Sequence, residues 1–123
     1  IFVEMKKVPH KIREYIKDLN NKESFHVLTT AMGFTPREAA DIIDVYIFED
    51  LEFNPHRVVP NGIQSTLNFG EKYISVVGGG EGLYGDGKVT FEVLTSEAED
   101  VEGHIGKDRV TEILLELQED GSE

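Results

Sequence analysis

The chain contains no cysteine, no tryptophan and no long run of apolar residues. The absence of cysteine excludes disulfides, thiolate zinc sites and cysteine nucleophiles. A transmembrane helix needs about 20 mostly apolar residues, so none is predicted, and the first residues lack the pattern of a secretory signal. A cysteine-free chain fits a reducing compartment, and we expect a cytoplasmic protein that does not associate with membranes.

Basic residues are also scarce: 12 lysines and arginines stand against 24 aspartates and glutamates, for a net charge of −12. Residues 1–22 hold six of the bases and only three acids, so the remainder of the chain carries −15. A protein that binds DNA or RNA through phosphate contacts needs the opposite balance. We therefore expect no direct nucleic-acid binding. The acidity serves either solubility or attraction of a basic partner.

The length of 123 residues is that of one domain, and such a chain buries about two-thirds of its unfolded surface without a metal or disulfide. The apolar pattern predicts an α+β fold. About three N-terminal helices are followed by an antiparallel β-meander of about four strands and by a C-terminal helix. We expect a single domain, 1–123, with a helical part at about 9–52, a sheet at about 56–105 and a closing helix at about 108–119.

Three N-terminal helices are predicted from apolar residues that recur three and four positions apart. The first starts at Pro9, and the second runs from Ser24, its predicted cap, to Met32. The third has the clearest start, because Thr35-Pro36-Arg37-Glu38 combines a capping box with proline at the first helical position. We expect this third helix to run from Pro36 to about Leu51.

Beyond residue 55 the apolar period changes to that of β-strands. We expect strands at Val58–Val59, Ile63–Phe69, Lys72–Val77 and Lys88–Thr95, with a short edge strand at Val101–Ile105. Asp108 is then the predicted cap of the closing helix, which carries Val110, Ile113, Leu114 and Leu117 on one apolar face.

On the third helix, three large apolar side chains are predicted to lie among acids instead of on the core face. They are Ile42, Val45 and Phe48, and the acids around them are Glu38, Asp41, Glu49 and Glu52. Another element of the domain covers the apolar residues, or a partner does. A partner could be another protein or a second copy of the chain.

A glycine-rich stretch, residues 78–87, contains the spacing Gly80-x-Gly82-x-x-Gly85. A dinucleotide fold requires a helix after this pattern, whereas a strand is predicted here. The stretch is superficially similar to a protein-kinase glycine-rich loop, but the chain has no kinase catalytic motifs. The glycines serve a hairpin loop, or they bind a small ligand or nucleotide with Lys72, Lys88 or Arg57 near its anion. Alternatively, Leu83 and Tyr84 form an apolar contact tip.

Residues 24–44 resemble the register of a helix-turn-helix motif. Asp41 and Asp44 would point outward from its second helix and repel phosphate, which agrees with the expectation of no direct DNA contact. The four histidines show no metal-ligand spacing, and the serines lie in no nucleophile motif. No cofactor, metal or catalytic residue is predicted, and the sequence favours a non-enzymatic role.

The leading hypothesis is therefore an acidic protein-binding module that docks a basic or nucleic-acid-binding surface of another protein, including inhibition by DNA mimicry. In general character the chain is similar to accessory proteins of phages and mobile elements. Binding of a small ligand or nucleotide at Gly80, Gly82 and Gly85 is the alternative, and a homo-oligomer is the third. The predicted partner-binding residues are Glu38, Asp41, Ile42, Val45, Phe48, Glu49, Glu52, Leu83 and Tyr84.

Overall fold

The computed structural model of the chain describes residues 10–119. Within this range four α-helices and a five-stranded antiparallel sheet confirm the predicted α+β class. The helices are α1 (His10–Ile16), α2 (Asn21–His26), α3 (Pro36–Ile43) and α4 (Lys107–Leu117). The strands are β1 (Asn54–Pro55), β2 (Ile63–Phe69), β3 (Lys72–Gly78), β4 (Phe91–Thr95) and β5 (Glu102–Ile105).

The sheet is a meander in which each strand lies beside its neighbour in the chain, in the order β1-β2-β3-β4-β5. Alternate residues of β3 and β4 are buried on one face, where Val76 pairs with Val93 and Ile74 with Thr95. At the edges, β1 is only two residues long and contains Pro55, while β5 pairs with β4 through a register shift. The buried face is the one that receives α4.

Helix α4 is buried on two sides. Val110, Ile113, Leu114 and Leu117 pack into the core that contains Ile74, Val76, Phe91 and Val93. Leu115 packs instead with Ala40 and Ile47 of the helical part, and it is only 2% exposed. The fold therefore has three layers, with α4 between the sheet and the N-terminal helices.

The helical layer has its own small core of Ile16, Leu28, Ala39 and Ile42. Polar contacts join it to the end of α4. The Asn21 backbone N–H donates to Glu119 Oε1 at 2.7 Å, its side-chain amide donates to the Leu115 carbonyl at 3.2 Å, and the Lys22 ammonium pairs with Glu116 at 2.8 Å. These contacts fix α2 against α4.

The third predicted helix is correct at its start and wrong at its end. Thr35 and Glu38 form the expected capping box, but α3 stops at Ile43 and not near Leu51, because Asp44 adopts a left-handed conformation with φ 59°. Residues 45–53 then cross from the helical layer to the sheet, with one 3₁₀ turn at Phe48–Asp50. This path places Ile42 in the helical core and Phe48 against the sheet core.

The N-cap residues of two helices also differ from the predicted ones. Asn20, and not Ser24, caps α2, because its side chain accepts from the Glu23 N–H while Glu23 accepts from the Asn20 N–H. Gly106, and not Asp108, precedes α4. The predicted start at Pro9 lies outside the described residues, and α1 is described from His10.

Among the strands, Ile63–Phe69 has the predicted bounds, and β3 extends the prediction by one residue to Gly78. The predicted first strand, Val58–Val59, is wrong: these residues lie outside the strands, where both N–H groups donate to His56 Nδ1. The strand predicted from Lys88 begins only at Phe91. The N–H groups of residues 88–90 donate instead to the Asp86 carboxylate, which keeps these residues in the preceding loop.

Candidate functional site

An open groove of about 900 Å³ lies between the helical layer and the first turns of α4. Its apolar floor is formed by Phe25, Ile47, Phe48 and Leu115. Pockets of a few hundred to about 1,000 Å³ with an apolar lining are typical of binding sites. The groove is bounded by two layers of the fold, so it depends on their being packed together.

One wall of the groove contains a π-helical turn. Helix α2 continues into this turn at Val27–Ala31, where the Met32 N–H donates to the Val27 carbonyl at 3.1 Å. The Thr29 hydroxyl lines the groove and donates to the Phe25 carbonyl at 2.8 Å. Single π-turns within helices occur frequently at functional sites, and here the turn borders the apolar floor.

The ring of Phe48 is held in place from several directions. Its backbone N–H donates to the Thr111 hydroxyl of α4 at 3.1 Å, and its ring packs against Phe53 and Phe91 with centroids 5.9 and 5.1 Å apart. The adjacent turn is clamped by Arg37, which donates to Asp50 at 2.8 Å. That hydrogen bond is the main reason why the pKa of Arg37 is raised. Phe48 is thus a fixed part of the groove.

Two of the three bases at the rim are paired within the described residues, whereas three of its acids are not. Lys22 pairs with Glu116 at 2.8 Å, and Arg109 pairs with Glu102 at 2.7 Å and with Glu112 at 3.0 Å. In contrast, three carboxylates that line the groove make no ion pair within residues 10–119; these are Glu23, Glu49 and Asp108.

The pairing of the bases is reflected in their acid–base equilibria. Hydrogen bonding to Glu102 raises the pKa of Arg109, and the same bond lowers the pKa of Glu102. Hydrogen bonding to Glu116 raises the pKa of Lys22. Two of the three lysines and arginines at the rim are therefore committed to partners within the chain, and the charge left available to a ligand is predominantly negative.

Two of the predicted partner-binding residues, Phe48 and Glu49, line this groove. Ile42 and Val45 do not lie on an exposed acidic stripe: Ile42 is only 8% exposed in the helical core, and Val45 packs beside Ala40 and Ile47. The chain itself covers these apolar residues, which was the first of the two interpretations. Ile42 thus offers little surface to a second copy, and the homo-oligomer stays a prediction from the sequence.

The four acids predicted around these residues do not form one stripe, because the helix that would carry them ends at Ile43; they are Glu38, Asp41, Glu49 and Glu52. Glu38 accepts from the Thr35 N–H at 2.9 Å as part of the capping box. Asp41 pairs with Arg37 at 3.2 Å. Glu52 is exposed and lines a separate depression that also contains Arg57.

The glycine-rich segment folds as a packed loop. The Gly79 N–H donates to the Gly85 carbonyl at 3.0 Å, and the Leu83 N–H donates to the Gly80 carbonyl at 3.2 Å. A Cβ atom at Gly85 would lie 2.6 Å from the Phe91 Cα atom, and φ at this glycine is +153°. Close backbone approach thus explains the need for glycine at residue 85.

Within this loop the carboxylate of Asp86 occupies a cluster of backbone donors. It accepts from the N–H groups of Lys88, Val89 and Thr90 at 2.8, 2.8 and 3.0 Å. These bonds, that from Thr90 first, lower the pKa of Asp86. The chain's own anion therefore occupies the amides of residues 88–90, and the ligand role of Gly80, Gly82 and Gly85 stays a prediction.

The other predicted contact residues, Leu83 and Tyr84, lie away from the groove. The Tyr84 N–H donates to Glu92, whose neighbours Phe91 and Val93 face α4, so the loop lies toward the opposite face of the sheet. Leu83 is half-buried against Gly62, while Tyr84 is 55% exposed and packs on His104 with ring centroids 5.7 Å apart. Leu83 and Tyr84 were predicted in the same partner-binding set as Phe48 and Glu49, but the fold separates the two pairs.

Most groove residues were not recognised from the sequence as site residues; among them are Phe25, Ile47, Lys107, Leu115 and the acids Glu23 and Asp108. For Leu115 a signal was present, because it lies off the predicted apolar face of α4 and so indicates a second buried side. Lys107 and Ile47 both line the groove because residues 45–53 leave the helix, which the apolar periodicity does not reveal.

Within residues 10–119, no group of three or more His, Cys, Asp or Glu side chains is arranged to hold a metal ion. Over the same range, every helix is too short or too polar to cross a membrane. Comparisons of the chain with protein-family models, with curated proteins and with solved structures find no match. A function must therefore be argued from the geometry of the chain itself.

Proposed function

We propose that this protein is a non-enzymatic binding module that receives a basic, partly apolar segment of another protein in the groove between its helical layer and α4. One observation carries the proposal: the apolar floor is bordered by Glu23, Glu49 and Asp108, which have no ion partner within residues 10–119, while Lys22 and Arg109 are already paired.

The two parts of the groove have different physical roles. Contact with the floor residues Phe25, Ile47, Phe48 and Leu115 removes apolar surface from water, which contributes about 25 cal/mol per Å². The carboxylates at the rim select a positively charged segment and speed its association. The net charge of −12 adds attraction at longer range. An acidic segment or a nucleic acid would be repelled by the same groups.

Inhibition of a nucleic-acid-handling protein is one case of this function, because such a protein presents a basic surface. The form of DNA mimicry that the sequence suggested requires carboxylates one turn apart on a long helix. In its place we propose recognition by the rim carboxylates. The accessory role in phages or mobile elements and the cytoplasmic location remain predictions from the sequence.

Selection from a library of short random peptides tests the proposal and does not require an identified partner. The enriched peptides are expected to combine lysine or arginine with large apolar residues. Their affinity should fall by about twofold to thirtyfold when Glu49→Gln and Asp108→Asn are combined, since each exposed charge pair contributes about 0.2–1 kcal/mol. Raising the salt concentration should weaken binding to the wild type more than to this variant.

The combined substitution Glu97→Gln with Glu99→Gln is the matched control. It removes the same two charges from exposed sites in the segment between β4 and β5, outside the groove. If the control weakens binding as much as the groove variant, only the net charge matters and the groove assignment fails. A library that yields no basic and apolar peptides would refute the proposed function.

A further inference from the structure

The protein holds one of its own cations at the floor of the groove. The Lys107 ammonium lies 5.5 Å from the centre of the Phe48 ring. Lysine and arginine are attracted to an aromatic face at this distance by the quadrupole of the ring. Phe53 and Phe91 pack against the same ring, and both belong to the sheet-side core.

This lysine differs from the other bases of the groove. Lys22 and Arg109 each have carboxylate partners, whereas Lys107 makes no ion pair and no side-chain hydrogen bond within residues 10–119. Lys107 is exposed and is the first residue of α4. If Lys107 moved away from the ring, the only interaction of its ammonium lost within residues 10–119 would therefore be this cation–π contact.

The groups around the Phe48 ring favour a cation. Glu49 follows Phe48 in the same turn and Asp108 follows Lys107 in α4; both carboxylates line the groove. The backbone N–H of Phe48 donates to Thr111, and its ring packs against Phe53 and Phe91. A rigid aromatic face with two unpaired carboxylates in the same groove is a preorganised receptor for an ammonium or guanidinium group.

We infer that the Phe48 ring, with Glu49 and Asp108, forms a subsite for a cationic side chain of the partner, and that Lys107 fills this subsite in the free protein. The inference rests on the proposed function and adds the chemistry of its central contact. Binding exchanges the chain's own lysine for the partner's cation. Arginine is preferred over lysine, because its planar guanidinium stacks on an aromatic ring and pairs with a carboxylate in two bonds.

A double-mutant cycle on Lys107 and Phe48 tests the exchange, using a selected peptide that contains one arginine. Lys107→Gln should bind the peptide about twofold to fivefold more tightly than the wild type, because the competing cation is gone. In the Phe48→Leu background the same substitution should have a smaller effect, since only the long-range charge change remains. The peptide with norleucine in place of arginine should show no gain from Lys107→Gln.

Nuclear magnetic resonance supplies a second measurement that does not rely on substitution. A lysine side chain over a ring has upfield-shifted methylene protons, and those of Lys107 should return to ordinary values when the arginine peptide is added. Thermal melts of each variant confirm that it folds. Phe48→Tyr, which keeps the aromatic face, should leave the effect of Lys107→Gln unchanged. If Phe48→Leu is unstable, the resonance measurement on the wild type tests the exchange.

The outcomes separate the two proposals. If the peptide binds in the groove while the Lys107 resonances keep their upfield shift, or if the coupling is zero, the subsite is refuted and the proposed function stands. If no basic peptide binds in the groove, the proposed function fails and the subsite fails with it. Weaker binding by Lys107→Gln would show that Lys107 contacts the ligand and would overturn the exchange.

Discussion

Two neighbouring leucines of α4 provide a sharp test of the three-layer arrangement. Leu114 is fully buried on the side of the sheet, and Leu115 is 2% exposed on the side of the helical layer. Leucine-to-alanine changes in a core cost about 2.7–5 kcal/mol, and the cost rises with the volume of the cavity that is left. Because total stabilities are about 5–15 kcal/mol, either change should be plain in urea denaturation.

The two substitutions should nevertheless differ in the free energy of unfolding that they cost and in the layers of the fold that they affect. The space left by Leu114→Ala is enclosed by the sheet core, so we expect a loss near the upper end, about 3–5 kcal/mol. Leu115 borders the open groove, so water and neighbouring side chains can fill the space left by Leu115→Ala. We expect a loss of about 2–3 kcal/mol for this change.

Hydrogen exchange distinguishes the layers. Leu115→Ala should increase exchange in α2 and α3 more than in β3 and β4, since it weakens the attachment of the helical layer. Leu114→Ala should increase exchange in all layers together. A cost below about 0.5 kcal/mol for Leu115→Ala, typical of a surface site, would refute the two-sided packing of α4.

Two further predictions concern the glycine-rich loop. Gly85→Ala should lower the urea midpoint more than Gly82→Ala, because both glycines have positive φ but only the first would place its Cβ against backbone, 2.6 Å from the Phe91 Cα atom; equal losses would contradict the close packing of the loop. Asp86→Asn should lower the melting temperature at neutral pH, and its deficit relative to the wild type should shrink as the pH falls below about 4. The sign follows from the lowered pKa of Asp86 in the folded state: the ionised form stabilises the fold above the unfolded-state pKa, and this contribution is lost on acidification. If the deficit in melting temperature grew in acid, the three hydrogen bonds that the backbone N–H groups donate to Asp86 would not be its cause.

The sequence predicted the sheet better than the path of the chain between layers. Strand β2 was predicted from the change to a strand-like apolar period, and its bounds agree with Ile63–Phe69. Such strands have one buried and one open face, so local pattern and tertiary packing favour the same register. Lys88–Thr90 was misassigned because a side chain, the Asp86 carboxylate, takes the three N–H groups that a strand would have offered.

The end of α3 was mispredicted because residues of one apolar pattern pack into three different clusters. Ile42, Val45 and Phe48 keep helical spacing, yet they pack into different clusters of the structure. The run Val45-Tyr46-Ile47-Phe48 is rich in β-branched and aromatic residues, which favour extended backbone over helix. Asp44 is among the residue types that tolerate the left-handed conformation, so a break at this point was readable from propensity but not from periodicity.

The candidate site was predictable only in part for the same reason. Phe48 and Glu49 were identified as contact residues from the expectation of an acidic stripe, and they line the groove through a different geometry. The excess of unpaired acids over unpaired bases at the rim depends on contacts such as Arg109 with Glu102 and Lys22 with Glu116. The latter joins residues 94 positions apart, and sequence spacing carries no information about it.

The two edges of the sheet restrict the way in which this protein can recognise another chain. At one edge β1 is two residues long and includes Pro55, which has no N–H to donate. At the other edge β5 is four residues long, its register shifts, and His104 has a left-handed conformation and gives its N–H to Tyr84. Neither edge of the described sheet is a regular template for an added strand, which disfavours β-augmentation and edge-to-edge aggregation. Recognition by this fold must then depend on side chains, so its specificity should be open to change by single substitutions.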